Sequence, residues 1–122
     1  MMRAMNRRDA RLVSEAEFQR AVLEYAEWNG WRAVHFRPAR IKNGEWRTPI
    51  QGKHAKGFFD TVLVRPPRVV FLELKREDGK MSPEQVEWLA ALRQCGGVEV
   101  AVVRPSGWGV VEKMLGRGRR IA

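Results

Sequence analysis

The fold is most clearly predicted from residues 57–75, GFFDTVLVRPPRVVFLELK. This stretch contains two short apolar runs, TVLV and VVFLEL, on either side of the pair Pro66-Pro67. Runs rich in β-branched and aromatic residues that are separated by such a breaker predict the two strands of a β-hairpin. With the two prolines at the centre of the turn, Asp60 lies directly across from Glu73.

This register places two acids and a lysine at one end of the hairpin. Side chains alternate between the faces of a strand, so Glu73 and Lys75 share a face, and opposed residues have Cβ atoms roughly 4.5–5.5 Å apart. Opposed like charges destabilise a sheet. A divalent cation would remove this penalty, because Mg²⁺ takes carboxylates and substrate phosphates as ligands. The group therefore predicts metal-assisted phosphodiester hydrolysis. There is a simpler alternative for each feature taken alone. An Asp that opens a strand can belong to the preceding turn, and a Glu-x-Lys can be the exposed end of a strand.

The composition is that of one globular domain with a basic surface. The 122 residues are 44% hydrophobic and 30% charged, which suffices for a single core. No apolar run approaches the roughly 20 residues of a membrane span, and the first residues lack the apolar core of a secretory signal. The single cysteine, Cys95, allows no internal disulfide and favours a reducing interior. A net charge of +9 predicts a polyanionic partner, with nucleic acid favoured over a membrane surface.

A first helix is predicted to begin after Ser14, and its apolar residues recur at helical spacing from Phe18 to Trp28. Extending this stripe backwards by three residues reaches Glu15, which we expect to face inward with the core. Glu17 is expected to face solvent. A shared metal site would give an inward acid a partner, and the alternative is that it only complements the helix dipole.

Residues 31–37 alternate well enough for an edge strand, in which His35 fits a core or surface position better than that of a ligand. The loop that follows, residues 38–56, exceeds about 15 residues, and such loops are usually functional or disordered. Because it is cationic and carries Trp46, it is predicted to be a flap that contacts phosphates, with a solvated loop as the alternative. The candidate DNA-binding residues are Arg37, Arg40, Lys42, Arg47, Lys53 and Lys56.

A second helix is predicted from the run Ser82-Pro83-Glu84-Gln85, in which proline fits the first turn and Ser82 forms a capping box with Gln85. By itself, Gln85 needs no role beyond that cap. The run VEVAVV at 98–103 predicts a buried last strand.

The order helix, strand, strand, strand, helix, strand predicts an α/β fold around a mixed four-stranded sheet. The hairpin is antiparallel, and a helical crossover favours a parallel last strand. Residues 1–13 are predicted to be a flexible basic arm, 14–116 a single domain and 117–122 a basic tail.

The chain resembles the PD-(D/E)XK nuclease superfamily. More narrowly it is similar to the VRR-NUC domain, found in small stand-alone proteins of phages and bacteria and in larger DNA-repair nucleases. The resemblance spans roughly residues 14–106 and rests on five segments in order: SEAEFQRAVLEYAEWNGW, GFFD, VVFLELK, GKMSPEQVEWLAALRQCGG and VAVVRPS. It implies a restriction-endonuclease-like core. The family usually has proline before the aspartate, where this chain has Phe59, and the expected cost is local rigidity rather than a ligand.

The resemblance also implies a metal site. Asp60 and Glu73 would ligate Mg²⁺ or Mn²⁺, with the backbone carbonyl of Leu74 as a further ligand. Glu15 would complete the site through the metal or a water, and Glu17 is the other candidate. The implied catalytic set is Asp60, Glu73, Lys75, Glu15 and Gln85, in which the lysine orients or activates the attacking water and the glutamine stands near it.

The implied activity is metal-dependent hydrolysis of branched DNA such as Holliday junctions. The resemblance further implies a homodimer in the cytoplasm of a bacterial or phage-infected cell. In the sequence itself, Trp88 and Trp108 are candidates for an exposed apolar face at which two copies could meet. Two alternatives stay open: a non-catalytic basic DNA-binding module, and a restriction-type nuclease that cuts linear duplex.

Overall fold

The structure is a computed structural model that describes residues 5–36, 39–40, 43–47 and 50–117. The helices are α1 (Arg7–Ala10), α2 (Glu15–Trp28), α3 (Pro83–Arg93) and α4 (Trp108–Leu115), and a 3₁₀ helix spans Pro105–Gly107. The strands are β1 (Arg32–His35), β2 (Ala39–Arg40), β3 (Trp46–Arg47), β4 (Thr61–Arg65), β5 (Arg68–Leu74) and β6 (Glu99–Val103). Within these ranges, no helix has the length and hydrophobicity needed to cross a bilayer.

Four strands form one mixed sheet in the order β1-β4-β5-β6. Strands β4 and β5 are the predicted hairpin, with Arg65 opposite Arg68 across the two prolines. Strand β6 pairs parallel to β5 after the crossover through α3, as a helical connection favours. The prediction of an α/β fold with a mixed four-stranded sheet is confirmed.

The core lies between one face of this sheet and the helices α2 and α4. Leu63 and Leu72 are fully buried on that face and belong to one cluster with Phe18 of α2. Burying each such side chain contributes roughly 1.5–3 kcal/mol. Trp108 is also in this cluster, with its ring 5.4 Å from that of Tyr25, so the prediction that it is exposed is wrong.

The opposite face of the sheet is only thinly covered. Its side chains alternate with those of the core and include Val62, Phe71 and Glu73, and the helix on this side, α3, contributes no fully buried residue. The thin cover leaves room for a pocket at the end of the sheet where β4 begins and β5 ends.

The start of the chain differs from the predicted flexible arm over residues 1–13. Asn6 caps α1, Ala10 is fully buried, and Arg7 contacts the carboxylate of Glu77 at 3.7 Å. A helix of one turn has no periodicity that a sequence pattern can detect, and its stability comes from such tertiary contacts. Residues 1–4, and residues 118–122 of the predicted tail, lie outside the described residues.

The predicted loop over residues 38–56 carries a small sheet of its own, in which β2 pairs antiparallel with β3. Asn43-Gly44 lies between these strands, and Gly44 has a φ of 84°. Asn-Gly is a strong local hairpin signal, so the sequence contained an indication of this element.

Candidate active site

A pocket of about 800 Å³ gathers all five predicted catalytic residues at the end of the sheet. They come from the first turn of α2, the start of β4, the end of β5 and the first turn of α3, which are far apart in the sequence. The pocket is lined by Glu15, Gln19, Phe36, Ile50, Ala55, Lys56, Gly57, Phe58, Phe59, Asp60, Glu73, Lys75 and Gln85.

The hairpin register brings the two central acids together. Thr61 lies opposite Leu72. One residue further along each strand, Asp60 therefore lies opposite Glu73. The backbone N–H of Asp60 donates to Oε2 of Glu73 at 3.3 Å. Both carboxylates therefore face the same pocket rather than opposite sides of the sheet.

Asp60 is held by backbone and side-chain donors. The N–H of Leu74 lies 3.3 and 3.2 Å from its two carboxylate oxygens, and the hydroxyl of Thr61 donates to Oδ1 at 2.9 Å. Nδ1 of His35 is 3.1 Å from the same hydroxyl. When Asp60 is ionised, the single hydroxyl proton points to it, so the hydroxyl accepts from His35. This run of hydrogen bonds could not be predicted from the sequence, because a threonine such as Thr61 fits any strand.

Glu73 is nearly buried and both of its oxygens are engaged. Oε1 accepts a hydrogen bond from Nε2 of Gln85 at 2.7 Å and lies 3.8 Å from Nζ of Lys75. The side-chain oxygen of Gln85 accepts from the backbone N–H of Ser82 at 2.8 Å. The predicted capping box is thus confirmed, and it directs the amide nitrogen of Gln85 towards the site.

Glu15 is the first residue of α2, and Ser14 caps this helix as predicted. The prediction that Glu15 faces inward with the core is wrong: the residue is exposed and lines the pocket. It lies at the start of α2, before Phe18, which is the first buried residue of the stripe. Glu17 lines a different cavity, so Glu15 is the helix acid that belongs to this site.

Burial and neighbouring charges raise the pKa of the two central acids. Burial, and then the charge of Glu73, raise the pKa of Asp60 to about 8. Burial raises the pKa of Glu73 to about 7, although the ammonium of Lys75 opposes the shift. The charge of Glu15 raises both pKa values further. Both acids are thus held towards their neutral forms, and a bound cation would favour their ionisation.

These donors fit a hard divalent cation. Mg²⁺ is usually bound by one or two carboxylates together with waters and substrate phosphates, whereas zinc sites use Cys and His. In the described part of the chain, no group of three or more His, Cys, Asp or Glu side chains is arranged to hold a metal. The N–H and C=O of one strand residue point towards the same neighbouring strand. Because the N–H of Leu74 donates to Asp60, its carbonyl also lies on the side of Asp60. Two carboxylates and one carbonyl therefore make an open site rather than a closed cage.

The segment before Asp60 is fixed against the N-terminus of α3. Gly57 has a φ of 82°, and a Cβ there would lie 2.6 Å from the backbone of Glu84. The ring N–H of Trp88 donates to the carbonyl of His54 at 2.8 Å. Phe59, which stands where the resembled family has proline, is buried. These contacts with helix α3 fix the chain where it enters β4.

Two of the predicted DNA-binding residues have described side chains. Lys56 is 82% exposed at the pocket, and its Nζ lies 3.3 Å from the carboxylate of Glu84. Lys53 lines a neighbouring cavity of about 390 Å³ that Lys56 also borders. Arg40 and Arg47 lie in β2 and β3. The remaining two, Arg37 and Lys42, lie outside the described residues.

Comparisons with protein-family models, with curated proteins and with solved structures found no match to this chain. The chemistry of the pocket has to be inferred from its own residues.

Proposed function

We propose that this protein is an endonuclease that hydrolyses DNA phosphodiesters with the help of Mg²⁺ or Mn²⁺, on a PD-(D/E)XK core of the VRR-NUC type. The observation that carries the proposal is the meeting of Asp60 and Glu73 in one pocket with the ammonium of Lys75, 3.8 Å from Glu73. Burial disfavours the ionised form of both acids, and the charge of Glu73 adds to this effect at Asp60. A divalent cation would favour the ionised forms and bind both carboxylates as ligands.

The five predicted catalytic residues each have a role in this reaction. Asp60, Glu73 and the Leu74 carbonyl would hold the metal, which supplies Lewis-acid stabilisation of the phosphate and lowers the pKa of a bound water. Gln85 keeps Glu73 in place through its 2.7 Å hydrogen bond. Lys75 orients the attacking water and offsets the charge that grows on the phosphate. Glu15 adds a carboxylate at the rim, where it acts directly or through a water.

The substrate class follows from charge and from the sequence resemblance. A net charge of +9 and the exposed Lys56 at the pocket favour a polyanion, and phosphate contacts position nucleic acid without reading its sequence. The resemblance favours a homodimer that acts on branched DNA such as Holliday junctions, in the cytoplasm of a bacterial or phage-infected cell.

The decisive experiment is a digest of a four-way junction and a matched linear duplex with Mg²⁺, Mn²⁺ or EDTA. We expect cleavage of the junction with either metal and none with EDTA. Asp60→Asn, Glu73→Gln and Lys75→Met should each lower the cleavage rate at least ~100-fold, with DNA binding largely retained. Glu17→Gln, in a different cavity, is the matched control. If the three site variants cut as fast as wild type, the site assignment is wrong.

One observation favours a second candidate, a non-catalytic DNA-binding module: no three-acid metal cluster occurs among the described residues. That candidate predicts salt-sensitive DNA binding and no cleavage under any metal. A third outcome, faster cleavage of the linear duplex at a fixed sequence, would instead favour a restriction-type nuclease.

A further inference from the structure

An aromatic side chain lies in the same cross-strand row as the two acids. The N–H of Phe36 donates to the carbonyl of Asp60 at 2.7 Å, which extends by one residue the register that places His35 opposite Thr61. Opposed residues on paired strands have side chains on the same face. Phe36, Asp60 and Glu73 therefore stand side by side at the ends of three adjacent strands.

A second ring supports Phe36 from behind. The centroid of Phe58 lies 5.9 Å from that of Phe36, and Phe58 also packs against Phe71 at 6.2 Å and Trp88 at 5.0 Å. Phe36 and Phe58 are both partly exposed and line the pocket, as does Ile50. One wall of the pocket is thus apolar and aromatic, whereas the acids and Lys75 form its polar part.

A paired DNA strand has no free base face to place against this wall, because each base is covered by its stacked neighbours. An unpaired base has a free face, and every base can stack on an aromatic ring. One strand spacing, about 4.8 Å, separates the strand of Phe36 from that of Asp60. A nucleotide whose phosphate lies at the acids can therefore bring its own or the adjoining base to Phe36.

We infer that this site takes DNA in which a nucleotide next to the scissile phosphate is unpaired, and that its base stacks on Phe36. The substrate class is a bulge, a flap or the branch point of a junction. The inference rests on the proposed nuclease function and gives its selectivity for DNA structure a physical cause.

The experiment compares three substrates of one sequence: a paired duplex, the duplex with one unpaired nucleotide, and the same substrate with an abasic sugar at that position. The unpaired nucleotide is placed on the 5′ side of the cut in one set and on the 3′ side in another. With Mn²⁺, we expect wild type to cut beside the unpaired nucleotide at least ~10-fold faster than in the paired duplex. On one side of the cut, removing the base should lower kcat/KM by roughly 5- to 150-fold.

Variants assign the effect to one ring. Phe36→Leu keeps apolar bulk but removes the stacking face. We therefore expect this variant to cut the intact substrate more slowly than wild type does, and to cut the abasic substrate at the wild-type rate. Phe36→Tyr should retain wild-type discrimination between these substrates. Phe71→Leu is the matched control, because Phe71 belongs to the same aromatic cluster and should leave the ratio between the two substrates unchanged.

Two results would overturn the inference while the nuclease stands. One is wild-type cleavage of the abasic substrate at the rate of the intact one, on both sides of the cut. The other is a loss of cleavage rate from Phe36→Leu that is as large on the abasic substrate as on the intact one. If Phe36→Leu does not fold, the wild-type comparison decides. Absence of cleavage of every substrate with either metal would end both this inference and the nuclease proposal.

Discussion

The side-chain amide of Gln85 donates to Oε1 of Glu73 at 2.7 Å, and this bond joins the cap of helix α3 to the acidic pocket. The oxygen of the same amide accepts from the N–H of Ser82, whose hydroxyl accepts from the N–H of Gln85 at 3.2 Å. Because the cap uses the amide oxygen, only the nitrogen is left to face Glu73. Gln85 is thus a helix cap and a positioning residue at once.

Replacing Gln85 by Glu separates these two roles. The carboxylate of Gln85→Glu still accepts from Ser82 but sets a second negative charge against Glu73, which raises the pKa of that acid further. We expect near-wild-type stability, and at pH 7 cleavage at least ~10-fold slower that recovers partly at higher pH. The measurement is the pH profile of cleavage with saturating Mn²⁺.

Ser82 provides the matching control for the cap. Ser82→Ala should cost about 1 kcal/mol of unfolding free energy and leave the amide of Gln85 less fixed, whereas Ser82→Asp restores the cap. A wild-type pH profile for Gln85→Glu would show that the bond to Glu73 has no part in the site.

The raised pKa values make stability depend on pH in a defined direction. Folding raises the pKa of Asp60 from 3.8 to about 8 and that of Glu73 from 4.5 to about 7. Between about pH 4 and pH 8 the folded chain therefore holds protons that the unfolded chain has lost, so the contribution of this pair to stability falls as the pH rises. Asp60→Asn should raise the free energy of unfolding clearly at pH 8 and by little at pH 4, because each unit of raised pKa costs about 1.4 kcal/mol once the acid is ionised. Urea unfolding in EDTA across this range measures it.

Metal binding checks the same pair from the other side. A divalent cation binds the ionised acids, so Mn²⁺ should raise the Tm of wild type more at pH 8 than at pH 5.5. The rise should be lost in Asp60→Asn. Equal shifts in the two proteins, or a stabilisation by Asp60→Asn that does not depend on pH, would contradict the assignment.

Glu15 and Glu17 offer a matched pair within one helical turn. Both favour the N-terminus of α2 by typically 0.3–1 kcal/mol, so Glu15→Gln and Glu17→Gln should change stability to a similar small extent. Only Glu15 lines the pocket and raises the pKa values of Asp60 and Glu73. We expect Glu15→Gln to slow cleavage about 10-fold or more and to move the acidic limb of the pH profile to lower pH.

The profile of Glu17→Gln should match that of wild type. Identical profiles for the two variants would remove Glu15 from the site.

Gly57 is expected to tolerate no side chain. At φ 82° a non-glycine residue costs about 1–3 kcal/mol, and the added Cβ would lie 2.6–2.7 Å from the backbone of Glu84 and Gln85. Gly97 has nearly the same φ, 83°, but nothing within 4 Å of its Cβ position. Gly57→Ala should therefore lower the free energy of unfolding clearly more than Gly97→Ala, as measured by urea unfolding. Equal losses would mean that the contact with α3 is not tight.

Features that depend on local chain geometry could be predicted from the order of the amino acids. Strand alternation and a central turn set which hairpin residues are opposed, so Asp60 and Glu73 could be paired without coordinates. The cap at Ser82 and Gln85 is local in the same way. The crossover through α3 made a parallel last strand the expected pairing.

Which distant residues complete the pocket could not be predicted from local patterns, because they meet only when the helices pack against the sheet. The apolar stripe of α2 predicted that Glu15 faces the core. In the structure, the start of this helix lies at the end of the sheet, so Glu15 is at the rim of the pocket. His35 looked like an ordinary strand residue until the β1–β4 pairing set it beside Thr61. Helical and strand periods fix the face on which a side chain lies, whereas the packing of one element against another fixes what that face meets.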